Sequence, residues 1–408
     1  MAYKNENPTD YELAFNDENQ NLIEDRTLFT TKTTPFSILV GQLDYEKNFN
    51  ENTQVSGGLK MVQSNFENDV EIRENGIIDP NLTSLSNLVE NVYAAYGQFR
   101  HQVNKKLGMQ IGLRYEFTDT DLESSTEGKV VDREFGSLFP TFYTDYKMND
   151  NNAINLSYSR RIDRPSFSDM APFIIYVDPN TLFGGNTALQ PAITNSIELG
   201  YRYKVFNLTV QYSQEDSSIA GYQSRFDVAT NTQVISPTNL KRQNMFVTSL
   251  SFPVKMTDWW NMRVFGMYFW RENTTVDNLG ELTFSQSTYR INGNQTFTLA
   301  KGFNLELSGF YTSPFLNGNI LIKSIWGANL GLQKQLKNGR LAFNVGDIFN
   351  SIKSVGITDI PSLNIYTERG FDFSQRTFRI TYSASFGSKK VRRARNRNSS
   401  DEERGRVN

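Results

Sequence analysis

Along Gln110 to Phe117 apolar and polar side chains alternate without a break. Ile111, Leu113, Tyr115 and Phe117 fall on one side of an extended chain, and Gln110, Gly112, Arg114 and Glu116 on the other. The same two-residue period runs through Ile197, Leu199, Tyr201 and Tyr203 against Glu198, Gly200, Arg202 and Lys204. It returns in Leu208, Val210 and Tyr212 against Thr209, Gln211 and Ser213, and in Phe378, Ile380, Tyr382, Ala384 and Phe386 against Thr377, Arg379, Thr381, Ser383 and Ser385. This pattern predicts strands at residues 9–16, 36–48, 52–65, 90–103, 106–119, 137–148, 152–161, 193–204, 206–216, 242–255, 258–272, 285–299, 302–313, 323–336, 339–350 and 375–387.

Short polar turns punctuate the strands: Asn5-Glu6-Asn7-Pro8, Asn48 to Asn52, Asn104-Lys105-Lys106, Asn149 to Asn152, Val205-Phe206-Asn207, Met256-Thr257-Asp258, Ala300-Lys301-Gly302 and Lys337-Asn338-Gly339. Long connections lie between them, at residues 17–35, 66–89, 120–136, 162–192, 217–241, 273–284, 314–322 and 351–374. Tight turns at one end and long loops at the other describe an antiparallel up-and-down chain. Charge recurs on one face where a soluble sandwich would need core residues, so the greasy face must be covered by something outside the sheet. Acyl chains are the natural cover, and the charged face then lines a hydrated lumen. The fold class is therefore an all-β, transmembrane, antiparallel up-and-down β-barrel of about 16 strands. Most strands reach the roughly 9–11 residues that a tilted crossing needs.

Composition fits this picture without deciding it. The chain has 408 residues, 30 Phe and 19 Tyr, a net charge of -2 and no cysteine. No Gly-, Pro- or Ser-rich linker divides it, so one barrel domain over residues 1–387 is expected. No apolar run approaches the roughly 18–20 residues of a spanning helix, and mean hydropathy is negative, as it is when only alternate residues meet lipid. The aromatics suit interfacial girdles, with Trp259-Trp260 beside a tight turn. Near-zero net charge gives no bulk attraction to nucleic acid. A cysteine-free chain suits passage through an oxidising compartment.

The end of the chain sets the orientation. Arg376 to Phe386 alternates and closes on Phe, as expected of a final strand descending to the periplasm, which puts the tight turns in the periplasm and the long loops outside. Residues 388–408 carry Lys389-Lys390-Val391-Arg392-Arg393-Ala394-Arg395 and then Asp401-Glu402-Glu403-Arg404. They are expected to form a disordered, charged, periplasmic tail. At the other end, Met1-Ala2-Tyr3-Lys4 runs straight toward a turn and a strand with no apolar leader. The expectation is of a C-terminal portion whose export signal and earlier strands are missing.

The stretch Tyr158-Ser-Arg-Arg-Ile-Asp-Arg-Pro-Ser-Phe-Ser-Asp-Met-Ala-Pro-Phe173 continues through Asp178-Pro179 and Gly185-Asn186-Thr187-Ala188-Leu189-Gln190-Pro191 to Ser196-Ile-Glu-Leu-Gly-Tyr201. With Glu90 to Tyr96, Gly112 to Glu116 and Asp347-Ile-Phe-Asn350, it resembles the barrel of TonB-dependent outer-membrane receptors, in particular the outer-membrane β-barrel protein family of Bacteroidetes. The resemblance implies a parent barrel of roughly 22 strands. It also implies a plug domain and TonB system as partners through a missing N-terminal region, residence in the Gram-negative outer membrane with its lipid, and uptake of a scarce bulky nutrient of siderophore, oligosaccharide or peptide class. A surface lipoprotein is a further candidate partner. An outer-membrane scaffold or surface-binding barrel that transports nothing is the alternative.

Arg160, Arg161 and Arg164 cluster where a strand leaves the membrane. Pro165, Pro172, Pro179 and Pro191 stiffen the loop that follows, and Gly184-Gly185-Asn186 can take positive φ and turn it back. Such a loop either shapes an external vestibule or only fixes itself to the barrel rim. Arg160, Arg161, Arg164, Asp178 and Asn186, with lumen-facing Arg114 and Arg202, are the candidate substrate-binding residues. Catalytic chemistry finds no such constellation. His101, the one histidine, stands without a Cys or His partner for zinc or a triad, and Asp119, Asp121 and Glu123 lack the Gly and terminal Glu of a calcium loop. No enzyme activity, cofactor or nucleic-acid partner is expected.

Overall fold

A computed structural model describes residues 2–16, 22–80, 83–125, 128–171, 174–178, 181–227, 232–277, 280–361, 365–372, 376–384 and 405–406. Sixteen long strands follow one another in chain order: β1 (Ala2–Asn16), β2 (Leu22–Asn50), β3 (Thr53–Glu74), β4 (Ser84–Gln102), β5 (Leu107–Ser124), β6 (Gly128–Lys147), β7 (Asn152–Asp163), β8 (Ala192–Tyr203), β9 (Phe206–Asp216), β10 (Arg242–Lys255), β11 (Trp260–Asp277), β12 (Gly280–Leu299), β13 (Phe303–Thr312), β14 (Ile325–Leu336), β15 (Gly339–Gly346) and β16 (Thr377–Ser383). Each pairs antiparallel with the next in a single sheet, to which a two-residue strand at Ile77–Ile78 is appended. This is the up-and-down order that the alternation predicts. Among the described residues β1 pairs with β2, and β16 with β15.

The greasy side chains face outward. Leu39, Leu43, Leu59, Ile111, Leu113, Tyr115, Ile197, Leu199, Tyr289, Ile291, Phe378 and Ile380 are all exposed on the sheet's outer side. A soluble protein does not leave an apolar band of this extent in water, and in a bilayer the band is buried in hydrocarbon. Trp259 lies beside a tight turn with its ring 6.4 Å from Trp260 and 6.0 Å from Phe297. Tyr203, Phe206 and Phe252 continue the aromatic edge on neighbouring strands, at 6.4 and 6.2 Å. This is the girdle expected at the periplasmic interface.

Three expectations are corrected. Asn5-Glu6-Asn7-Pro8 is not a turn. Its backbone lies within β1, where Asn5 faces Thr34 and Pro8 faces Thr31 in the outer half of β2. Turn-forming residue types there are overridden by pairing with a long neighbour, and a strand that pairs on one side only among the described residues tolerates proline. Several long loops are also shorter than expected because the strands continue past the membrane: β2 has 29 residues and β3 has 22, two to three times what a crossing uses. Asp119, Asp121 and Glu123 accordingly lie on β5 rather than in a loop, with Asp121 bound to Lys129 at 2.8 Å. Finally, neither Gly184 nor Gly185 adopts positive φ. Gly185 is required for a different reason, since a Cβ there would fall on the carbonyl oxygen of Ala171.

The remaining outer connections carry two four-stranded sheets of their own. One joins Ile174–Asp178, Thr181–Gly184, Ile219–Asp227 and Thr232–Asn239, and the other joins Phe315–Asn317, Ile320–Ile322, Lys353–Ile360 and Ile365–Asp372. The first two strands of the former belong to the connection between β7 and β8. That connection also holds a single helical turn, α1 (Phe167–Met170), capped by Ser166, whose hydroxyl accepts from the Asp169 amide at 3.1 Å.

Candidate functional site

Away from the tight turns the inner face of the wall becomes buried. Along β3, Val62, Ser64, Phe66, Asn68, Val70 and Ile72 are buried on alternate positions, whereas residues 53–58 near the tight turn are only half-buried. The β7–β8 connection covers that upper patch. Phe167, Met170, Ala171 and Leu189 pack inside the barrel against Phe36, Ile38, Val62, Phe66, Leu88, Leu122 and Val131, with Phe167 stacked on Phe66 at 5.2 Å. Burial of Phe167, Met170 and Leu189 contributes up to about 1.5–3 kcal/mol for each side chain, enough to hold an otherwise irregular segment in the lumen. Asn186 is part of the clamp: its amide group donates to the Pro237 carbonyl at 3.0 Å, and its side-chain oxygen accepts from the Ala188 backbone at 3.0 Å.

Beneath this cap lies a charged cluster built on adjacent strands. Glu116 on β5 faces Ala94 on β4, and Thr120 faces Glu90, so alternation points both carboxylates into the lumen. Glu116 is 1% exposed and pairs with Arg114 from its own strand and with Arg164 from the cap. Arg164, itself 4% exposed, also donates to the Thr118 hydroxyl at 3.0 Å. Arg114 lies over the Phe139 ring, 5.7 Å from its centroid. Glu90 binds Arg406, whose guanidinium sits 4.4 Å from the centre of the Phe167 ring. A buried carboxylate remains ionised only when such partners replace its water, so each ion in the cluster depends on the others.

The candidate residues divide accordingly. Arg114 and Arg164 meet at Glu116. Arg161 shares the lumen side of β7 with Ser157 and Ser159, whereas Arg160 falls in register with Leu156 and Tyr158 on the lipid side. Arg202 is also on the lumen side but sits beside the periplasmic turn at Lys204, far from the cap. Asn186 works within the cap, and Asp178 is placed on a strand of the accessory sheet while its side chain lies outside the described residues. Sequence reasoning did not single out Glu90, Phe167 or Arg406. The first had a usable signal, because it shares an inward register with Glu116 on the neighbouring strand; the tail offered none. His101 stands 3.0 Å from the Thr53 hydroxyl and stacks on Phe99 at 6.0 Å, a role in wall packing. Among the described residues no group of three potential metal ligands comes together.

The family model for the outer membrane protein β-barrel family matches residues 1–385. The chain belongs to this family. Its place is the bacterial outer membrane, which it crosses with strands as a multi-pass β-barrel. No curated protein matches the chain. Among solved structures, the ferric yersiniabactin uptake receptor FyuA of Yersinia pestis aligns with a TM-score of 0.59 at 13% identity, over 81% of this chain and 53% of that one. The copper transporter OprC aligns at 0.61 and 12%, over 94% and 62%. The siderophore receptor PiuA of Acinetobacter baumannii aligns at 0.56 and 11%, over 93% and 60%. At these identities the likeness is one of fold, and this member of the barrel family spans about half to three-fifths of those proteins' length.

Proposed function

We propose that the chain is the barrel portion of an outer-membrane receptor of the TonB-dependent type, which binds a scarce bulky nutrient outside the cell and admits it to the periplasm. The observation that carries this reading is the cap. A lipid-facing wall encloses a polar lumen, and the β7–β8 connection folds into that lumen where an external ligand would arrive, held there by apolar packing and by the buried Arg164–Glu116 pair. A surface-binding scaffold needs the outer band but has no need of an ordered segment across its bore. The family membership and the fold shared with uptake receptors and a copper transporter support the same reading.

In this reading Arg161 and the partly exposed Arg114 offer positive charge to a ligand's anionic groups under the cap, Arg164 holds the cap to the wall through Glu116, and Arg202 lines the exit. Asn186 and Asp178 shape the cap from above, and Arg160 stands at the rim. A plug domain would close the bore, the TonB system would move it, and a surface lipoprotein would cover the loops. The test uses cells producing the full-length parent protein, with outer-membrane insertion verified by fractionation. They are offered radiolabelled ferric siderophores, oligosaccharides and oligopeptides in turn. Accumulation of one class above a non-producing strain, abolished by a protonophore, is expected. Accumulation of none, with the protein correctly inserted, would overturn the proposal.

A further inference from the structure

The Arg406 contact joins two parts of the chain that the sequence keeps far apart. Its Nη1 and Nη2 both donate to the Glu90 carboxylate, the latter at 3.3 Å, and its Nε donates to the Pro165 carbonyl at 3.1 Å. The Phe167 ring lies against the guanidinium plane, and the Phe167 amide donates to the Arg406 carbonyl at 3.0 Å. Glu90 also accepts from the Thr120 hydroxyl at 3.4 Å. A two-toothed carboxylate, a carbonyl on the Nε edge and an aromatic face together match a planar guanidinium and would serve an ammonium poorly. Both Glu90 and Arg406 are buried.

We propose that the inner wall carries a guanidinium-binding site formed by Glu90, Pro165 and Phe167, and that its occupant is this chain's own C-terminal segment, seated through Arg406 beneath the β7–β8 cap. The reach is sufficient. Ser383 at the end of β16 pairs with Arg340, beside the periplasmic turn. The chain from Ser383 to Arg406 can extend about 75–80 Å, at roughly 3.3–3.6 Å per residue, against a hydrocarbon thickness of about 30 Å. Arg406 thus fastens the underside of the cap from within the bore. A cavity of about 350 Å³, lined by Ile162, Asp163, Arg164, Ser166, Gly405 and Arg406, lies next to the contact. The site does not depend on transport and stands or falls separately from it.

The chain contains no cysteine, so a designed pair reports on this contact alone. Gly405→Cys is combined with Ser166→Cys in the full chain, inserted in outer membranes; a Cβ at Gly405 meets nothing within 4 Å. A control combines Gly405→Cys with Leu138→Cys on the outer face. Under mild oxidation the first pair is expected to close within one polypeptide at least tenfold faster than the control. Adding Glu90→Gln is expected to slow it at least fivefold, and Arg406→Lys at least threefold. Equal rates for the two pairs, or a rate indifferent to Glu90→Gln, would overturn the proposal. Hydrogen exchange on Arg406→Ala, which keeps every native residue of the cap, gives a second reading. Faster exchange across residues 164–171 is expected, and an unchanged profile would count against the tether.

Discussion

Leu113→Arg puts the outward assignment of the greasy face at risk. Leu113 is 52% exposed on the outer side of β5, between Gly97 on β4 and Pro140 on β6, with Ile111 and Tyr115 as its neighbours along the strand. It follows the tight turn at residues 104–106 by seven residues, which places it near the middle of a crossing that takes roughly 9–11. An arginine there must lose its hydration or thin the bilayer, at about 2–4 kcal/mol near the midplane. That corresponds to a loss of about 30-fold to 700-fold in the folding equilibrium. Gln110→Arg, three residues earlier on the opposite face, places the same charge in the hydrated lumen and is expected to change stability by less than about 1 kcal/mol. Urea titration of both variants in lipid vesicles, read by the mobility shift of the folded barrel on unheated gels, measures the difference. Matching midpoints would refute the reasoning, because a sheet with both faces in water would treat the two arginines alike.

Further outcomes follow from the lumen. Glu116→Gln leaves Arg164 buried without its counter-ion, which should loosen the cap by about 3–5 kcal/mol and appear as faster hydrogen exchange over residues 164–171 while the wall stays protected. Gly185→Ala drives a methyl group into the Ala171 carbonyl and should destabilise the cap by about 1–3 kcal/mol, read as earlier protease cutting within residues 164–191.

The wall was legible in the chain. A two-residue rhythm with charge on one side and oil on the other, interrupted by Asn-, Gly- and Lys-bearing turns, fixes strand number, order and inside-out sense, because side-chain direction in an extended chain depends only on parity. Leu113, Ile197 and Ile380 lie where that rhythm puts them. The strand tips and the first turn were not legible. Asn5 to Pro8 is turn-like locally, and only the length of β2 beside it keeps it extended.

The lumen cluster lay further out of reach. Arg114 and Arg164 were recognisable as charges, but their meeting at Glu116 depends on a connection folding inward, and the pairing of Glu90 with Arg406 joins residues 316 apart in the chain. Local pattern carries no information about such contacts, since the energy that selects them comes from burying Phe167 and Leu189 and from replacing the water of buried charges. That energy exists only after the wall has formed beside them.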